Sequence, residues 1–511
     1  MFLNINMITI VDCGSQLTQN IARRVRELGT YSEIVSYKTP ASEIAARKPD
    51  GIIISGGQFS VYDDKAPIYN KAVLELGIPV LGICYGQQSI AHLLGGKVES
   101  TKDREYGRTK IEIKSSSKLF DGIDKSELTV WMSHGDIVKA LPCGFTEAAI
   151  SENGHIASMS KDNIYAVQFH PEVDHTEYGR KILQNFVDGV CHADKDWNNK
   201  DFLERTGSEI REKAGNDIVI GGVSGGVDSS VGSVWLSQLL GDQYHAFFVN
   251  NGLLRKNEDT EVMQYLDPLI KNLHYVDASD EFLDKLKGVT DPDQKRKIIG
   301  NTFIEVFERE AKGIGAKYLF QGTLYPDVIE SVPIYGCSSK IKRHHNVGGL
   351  PDRMNLKLIE PWRYLFKDEV RKIGEDIGVP REIVWRHPFP GPGLAVRIIG
   401  DVTPEKLALL READDIYITE LKKTGQYEKI AQAFAVMLPS KTVGVMGDEG
   451  TYQTVIGLRA VTTNDFMTSD CYPFDTGFLT GVSGKIIGKI KGVNRVVYDV
   501  TQKPPGTIEW E

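Results

Sequence analysis

The chain has 511 residues, which at roughly 150 residues per domain gives about three domains rather than one core. Charged residues make up 25% and hydrophobic residues 41% of it, enough to bury sizeable cores, which excludes a disordered or fibrous chain. Against 60 Lys and Arg stand 69 Asp and Glu, a net charge of −9 that excludes a global positive field for nucleic acid or anionic lipid and leaves room only for a local cationic pocket.

No apolar run approaches the roughly 20 residues needed to span a bilayer. The opening MFLNINMITIVDCGSQ has no basic segment followed by a cleavable apolar one, so a cytoplasmic protein is expected. The cysteines, at 13, 84, 143, 191, 337 and 471, lie far apart without a CxxC pair. That spacing disfavours both a structural zinc site and a disulfide framework.

In chain order, the first short apolar runs are Ile8 to Val11, Gly51 to Ile54 and Val80 to Ile83. The first and last lead into helix-like stretches, as strands of a largely parallel sheet do. Ser55-Gly56-Gly57 closes the second run with free backbone N–H groups. The third runs into Gly82-Ile83-Cys84-Tyr85-Gly86, a sharp strand-to-helix turn that parallels the G-x-S-x-G nucleophile elbow. Glycines two residues to either side let the chain reverse, and the positive end of the helix favours the thiolate. By itself Cys84 also suits a buried small residue in a tight turn. Further on, Tyr165 to Glu172 ends an extended run with His170 and Glu172 two positions apart, so the carboxylate can orient the imidazole. Thiol, imidazole and carboxylate together favour catalysis, with the Gly57 and Tyr85 amides as an oxyanion hole. Polar residues from His192 to Lys200 then break the apolar periodicity and set a boundary near residue 193.

A second βαβ pattern follows in Asp217 to Val223, Ser229 to Leu236 and Ala246 to Val249. Its turn, Ser224-Gly225-Gly226-Val227-Asp228-Ser229-Ser230, can cradle phosphate on successive amides at a helix start. The turn has no lysine, unlike the loop of enzymes that transfer a γ-phosphate, and it suits a pyrophosphate leaving group, with Asp228 offering oxygen to Mg2+. Pro388-Phe-Pro-Gly-Pro-Gly393 is a stiff connector and marks a second boundary. Residues 394–511 mix helices with strand-like runs at Thr454 to Ile456 and Arg495 to Tyr498, with no fixed-period repeat.

Residues 1 to about 192 resemble the class I glutamine amidotransferases in GICYGQQ, the glycine loop and QFHPEV, taken in order. The resemblance implies glutamine amide hydrolysis with Cys84 as nucleophile, His170 as general acid and base, and Glu172 orienting it. One departure is Gln58, where the family carries Pro after the paired glycines. SGGVDSS resembles the signature of the N-type ATP pyrophosphatases, which adenylate an oxygen and release pyrophosphate. Taken together, the chain is similar nearly end to end to the glutamine-hydrolysing GMP synthases. The supporting strings are KRKIIGNTF (295–303), LYPDVIES (324–331), KRHHNVGGLPDR (342–353), FKDEVRKIG (366–374), RHPFPGPGLAVR (386–397) and KPPGTIEWE (503–511).

That resemblance implies two successive α/β domains with mainly parallel sheets, 1–192 and 193–387, and a smaller α+β C-terminal dimerisation domain, 388–511. It implies that Asp327, Glu330, Lys342, Lys367, Asp368 and Glu369 close over ATP, Mg2+ and pyrophosphate. It assigns Arg296, Gln432, Asp448, Lys503 and Glu509 to xanthosine 5'-phosphate (XMP), whose dianionic phosphate suits Lys503 and Arg296. A second departure is Asn250, where the family has Asp. The expected partners are XMP, ATP, glutamine and a second copy of the chain, with no nucleic acid or membrane. Rival readings are another adenylating amidotransferase, a tRNA thiolase or lysidine-forming enzyme, and a non-enzymatic glutamine sensor. The acidic balance and the missing CxxC weigh against the second, and complete triad and loop side chains against the third.

Overall fold

The computed structural model describes residues 7–331, 356–446, 448–463, 466 and 468–511. They divide after Leu203 into two compact units.

The first unit is built on a nine-stranded sheet in the order β2-β1-β3-β4-β9-β8-β7-β5-β6. Its strands are β1 (Met7–Asp12), β2 (Tyr31–Ser36), β3 (Gly51–Ile54), β4 (Val80–Ile83), β5 (Lys97–Ile113), β6 (Glu127–Ala140), β7 (Thr146–Ser151), β8 (Ile156–Lys161) and β9 (Ile164–Val167). From β2 to β9 every pairing is parallel. β1, β3 and β4 are buried along their whole length, which is why they read as unbroken apolar runs. Beyond β9 the pairings turn antiparallel, and β6 alternates buried with exposed positions because one face meets solvent.

The second unit has a five-stranded parallel sheet in the order β12-β11-β10-β13-β14. These strands are β10 (Val219–Val223), β11 (Tyr244–Asn250), β12 (Leu273–Asp277), β13 (Tyr318–Phe320) and β14 (Lys357–Ile359). β10 has its chain successor on one side and β13 on the other, so the turn after it opens at the switch point where open α/β sheets bind ligands. A further sheet pairs β15 (Gln432–Met446), β16 (Glu449–Thr462) and β17 (Asp470–Cys471) antiparallel, with β18 (Val493–Tyr498) parallel to β16.

The Pro-Gly connector is packed into this unit. Leu394 N donates to Leu253 O at 2.8 Å. Gly393 takes φ +61°, and a Cβ there would stand 2.5 Å from the same carbonyl. One hydrophobic core runs from Val249, Leu253 and Phe282 through Leu394 and Ile398 to Leu407, Tyr417 and Ile456, so the residues on both sides of the connector share a single interior. Among the described residues no helix is long and apolar enough to cross a membrane.

Candidate functional site

After β4 the chain reverses at Cys84 with φ 55° and ψ −108°, and the helix Tyr85–Leu93 begins at the next residue. Few side chains adopt such backbone angles, and the surroundings impose them. Cys84 N donates to Val167 O at 2.8 Å. A Cβ on Gly86 would lie 2.4 Å from Ile54 O, and one on Gly82 would lie 2.6 Å from Ile90 Cδ1. The two glycines are therefore demanded by close backbone approach at either side of the sulfur.

His170 follows β9, its amide donating to Trp131 O at 3.0 Å and its carbonyl accepting from Thr176 Oγ1 at 2.6 Å. Its Nδ1 meets Glu172 Oε1 at 2.8 Å, and Cys84 acts on its charge. All three side chains are buried. Burial draws the imidazole pKa down, but the negative charges of Glu172 and then Cys84, with their hydrogen bonds, outweigh it and hold His170 well above its ordinary value. The triad expected from sequence is thus assembled, with Glu172 fixing the ring.

Gly57 packs on Tyr85, since a Cβ there would come within 3.3 Å of that ring and 2.6 Å of Cys13 O. Among the described residues neither the Gly57 nor the Tyr85 amide has another hydrogen-bond acceptor, as an oxyanion hole requires. Gln58 is exposed, and the loop beyond it is pinned by Ser60 N on Asp63 Oδ2 and by Tyr62 OH on Asp136 Oδ1, both at 2.9 Å.

In the second unit, Gly225 takes φ +73° and a Cβ there would meet Val262 and Arg386 within 2.9 Å. Gly226 caps the helix Val227–Leu240. Ser224 and Ser229 share a hydroxyl contact at 3.0 Å, and Ser230 is buried with no side-chain partner among the described residues. Asp228 Oδ2 accepts from Lys367 Nζ at 3.2 Å. Its Oδ1 is buried and unpartnered, which fits a hard cation brought with a nucleotide. Among the described residues no three His, Cys, Asp or Glu side chains gather as a metal site of their own. Asp327 Oδ2 accepts from Leu324 N at 3.1 Å, and Glu369 Oε2 accepts from Phe366 N at 2.8 Å, capping the helix Lys367–Asp376 that also carries Asp368. Lys342 and the Glu330 side chain lie outside the described residues. Asn250 makes a local turn, with Oδ1 accepting from Gly252 N at 2.9 Å and Nδ2 donating to Tyr275 OH at 3.0 Å.

Three of the residues assigned to XMP come together at the C-terminal tail. Gln432 Nε2 donates to Glu509 Oε1 at 2.7 Å, and Arg296, on the helix Pro292–Ile314, donates to the Glu511 backbone oxygen. Lys503 Nζ donates to Phe466 O at 2.6 Å, and Phe466 packs beside Phe434 and Ile508. Asp448 lies at the tip of the β15–β16 hairpin, opposite the end that holds Gln432. Sequence reading missed Arg397, which is fully buried, grips both oxygens of Glu509 at 2.9 and 3.1 Å and lies 4.0 Å over the Phe434 ring. The sequence signal was an arginine directly after Pro388 to Val396, a stretch made entirely of Pro, Gly and apolar residues.

Comparison with known proteins bears on the whole length. The family description "Glutamine amidotransferase class-I" matches residues 9–190, and "GMP synthase C terminal domain" matches residues 419–510. A protein of Aquifex aeolicus named GMP synthase [glutamine-hydrolyzing] is 57% identical over 99% of this chain and 99% of its own. Proteins of the same name from Chlorobium chlorochromatii and Brachyspira hyodysenteriae are 54% and 53% identical, again over 99% of both chains. The chain belongs to the glutamine-hydrolysing GMP synthase family. That membership decides between the rival readings left open by sequence, because the relatives matched over 99% of the chain carry this one name.

Proposed function

We infer that this chain synthesises GMP from XMP, with glutamine as nitrogen donor and ATP as activating substrate, a ligase that forms a C–N bond. The observation that carries the reading is the assembled Cys84, His170 and Glu172 in a chain whose second unit opens a lysine-free phosphate loop at its sheet's switch point.

Cys84 Sγ attacks the side-chain amide carbon of glutamine while the Gly57 and Tyr85 amides receive the oxyanion. As the C–N bond breaks, His170 delivers its proton to the departing nitrogen and ammonia leaves. A water molecule, activated by the now neutral His170, hydrolyses the thioester and releases glutamate. In the second unit the loop from Ser224 to Ser230, through its free amides and its hydroxyls, and Lys367 hold the ATP phosphates, with Lys342 as a further cation for them. The C2 oxygen of XMP attacks the α-phosphorus, pyrophosphate leaves, and ammonia then displaces AMP at C2. Asp228 would hold Mg2+, with Asp327, Glu330, Asp368 and Glu369 as further carboxylate candidates, and the ion would supply charge neutralisation for the phosphates.

XMP is taken by Arg296, Gln432, Lys503 and Glu509, with Arg397 fixing the Glu509 carboxylate. Sixteen positions of mainly extended strand separate Asp448 from Gln432, roughly 50 Å, so Asp448 would serve a site on a second copy. Homodimerisation through residues 388–511 suits this, and the exposed Val443, Val445 and Tyr452 on the same hairpin support it. We retain 1–192, 193–387 and 388–511 as the functional divisions, and the cytoplasm as the place of action.

The test is product analysis with XMP, ATP, Mg2+ and either glutamine or an ammonium salt. Wild-type chain is expected to yield GMP, AMP and pyrophosphate from both donors, and Cys84→Ala from ammonium alone. Equal loss with both donors in folded Cys84→Ala would argue against two separate sites.

A further inference from the structure

Four consecutive residues of β6, Ser133 to Asp136, touch each part of the glutaminase site without belonging to its triad. The Ser133 carbonyl faces Cys84 Sγ at 3.8 Å. The Asp136 carbonyl accepts at 2.9 Å from Nε2 of Gln88, which sits on the nucleophile's own helix and also reaches Gln168 Oε1 at 3.2 Å. The Asp136 carboxylate holds Tyr62 OH and with it the loop that leaves Gly57. Within this segment His134 is buried, directly opposite Glu105 on β5, where the β5–β6 register shifts.

The ring of His134 accounts for how the segment is held. Nδ1 lies 3.0 Å from the Asp136 carbonyl, and a carbonyl only accepts, so Nδ1 carries a proton. Nε2 lies 2.9 Å from Glu105 Oε2, while Asn153 Nδ2 donates to Oε1 at 2.9 Å. Burial pushes the Glu105 carboxyl up, but hydrogen bonds from His134, Ser151 and Asn153 outweigh it and hold the group below the usual carboxylate range, an ionised acceptor. Both ring nitrogens thus face oxygen atoms, one of a carbonyl and one of a carboxylate. A buried pair satisfied in this way contributes defined geometry more than net stability.

We propose that His134, clamped between Glu105 and the Asp136 carbonyl, is a positioning residue of the glutaminase reaction. It acts through the β6 backbone, keeping the Cys84 thiol, Gln88 and the loop after Gly57 in the arrangement that meets the amide carbon. The proposal rests on Cys84 being the nucleophile.

The test uses the full chain carrying His134→Ala, Glu105→Ala or Glu105→Gln. Each is assayed for glutamine hydrolysis, for GMP formation from ammonium salts, and for the rate at which iodoacetamide alkylates Cys84, followed on that peptide by mass spectrometry. In Glu105→Gln the amide nitrogen can donate to His134 Nε2 while its oxygen still accepts from Asn153, so the His134 and Asn153 hydrogen bonds survive without the carboxylate charge. The alanine variants are expected to lose about 10- to 100-fold in glutaminase kcat, as a misplacement of around an ångström does. Their KM for glutamine should stay within about threefold, their ammonium reaction should be unchanged, and Cys84 alkylation should shift. Glu105→Gln should match wild type within about threefold on all readouts. A near wild-type kcat in both alanine variants, a Gln variant as damaged as the Ala variant, or equal loss of the ammonium reaction would each overturn the proposal. Cys84→Ala in the same assay separates it from its foundation. Retained glutamine hydrolysis there would remove the nucleophile assignment, whereas an inactive Cys84→Ala beside a wild-type His134→Ala would remove only the role of His134.

Discussion

At Cys84 the backbone adopts angles that cost about 1–3 kcal/mol for a residue with a side chain, and tight packing around Gly82 and Gly86 keeps it there. Gly86→Ala, which sets a methyl 2.4 Å from Ile54 O, is expected to lower glutamine-dependent synthesis by about 100-fold or more. Ammonium-dependent synthesis should be spared, and steady-state rates with the two donors check this. The pH behaviour of the site follows from His170, whose folded pKa lies above its unfolded value. Its contribution to stability is full below the unfolded pKa and is lost as pH rises through the raised one. Glu172→Gln removes the largest upward push, so the imidazole should lose its proton at lower pH, with an NMR titration of the His170 ring as the measurement. An unmoved titration would take Glu172 out of that role. The triad was legible in sequence because Cys84 lies in a glycine elbow and His170 stands two positions from Glu172, so each local string shows its own chemistry although they lie far apart in the chain. His134 and Arg397 were not, because a buried histidine or arginine is defined by partners 29 and 112 positions away.

Among the elements, the strand, turn and helix around residues 219–240 illustrate how local sequence becomes a binding site. β10 is apolar because both faces are covered, Gly225 supplies the positive φ, and the helix that follows leaves its first amides unpaired. Asp228 sits in the first turn with one carboxylate oxygen on Lys367 and the other unpartnered. Asp228→Asn keeps the size and removes the charge. It is expected to cut ATP-to-AMP turnover about 10- to 100-fold, as the loss of a charge-assisted interaction of roughly 1.5–3 kcal/mol does. Glutamine hydrolysis by the triad should persist. Turnover unchanged across a Mg2+ titration would exclude Asp228. The parallel strands were readable as apolar runs, whereas β5 to β8 were not, since their alternating pattern with one wet face resembles polar loop sequence until the partner strand is known.

For the whole molecule, the tail from Lys503 to Glu511, which the proposed XMP site draws on, is held by contacts with residues far up the chain. Lys503→Ala is expected to weaken XMP about 10- to 100-fold while leaving ATP affinity nearly unchanged. Binding titrations with each nucleotide check it, and sedimentation tells a lost phosphate contact from a loosened dimer. An XMP affinity equal to wild type, with assembly unchanged, would make the tail structural. The two chemistries were readable before folding, because GICYGQQ, QFHPEV and SGGVDSS each act within a single strand, turn or helix, where backbone geometry and reactive group are neighbours in the chain. Packing of the folded chain supplied the rest. It brought both sides of the Pro-Gly connector into one core, paired Arg397 with Glu509, set Asp448 at the far end of its hairpin, and joined His134 to Glu105. Such contacts depend on sheet order, register and burial, which no stretch of sequence contains until distant strands have paired.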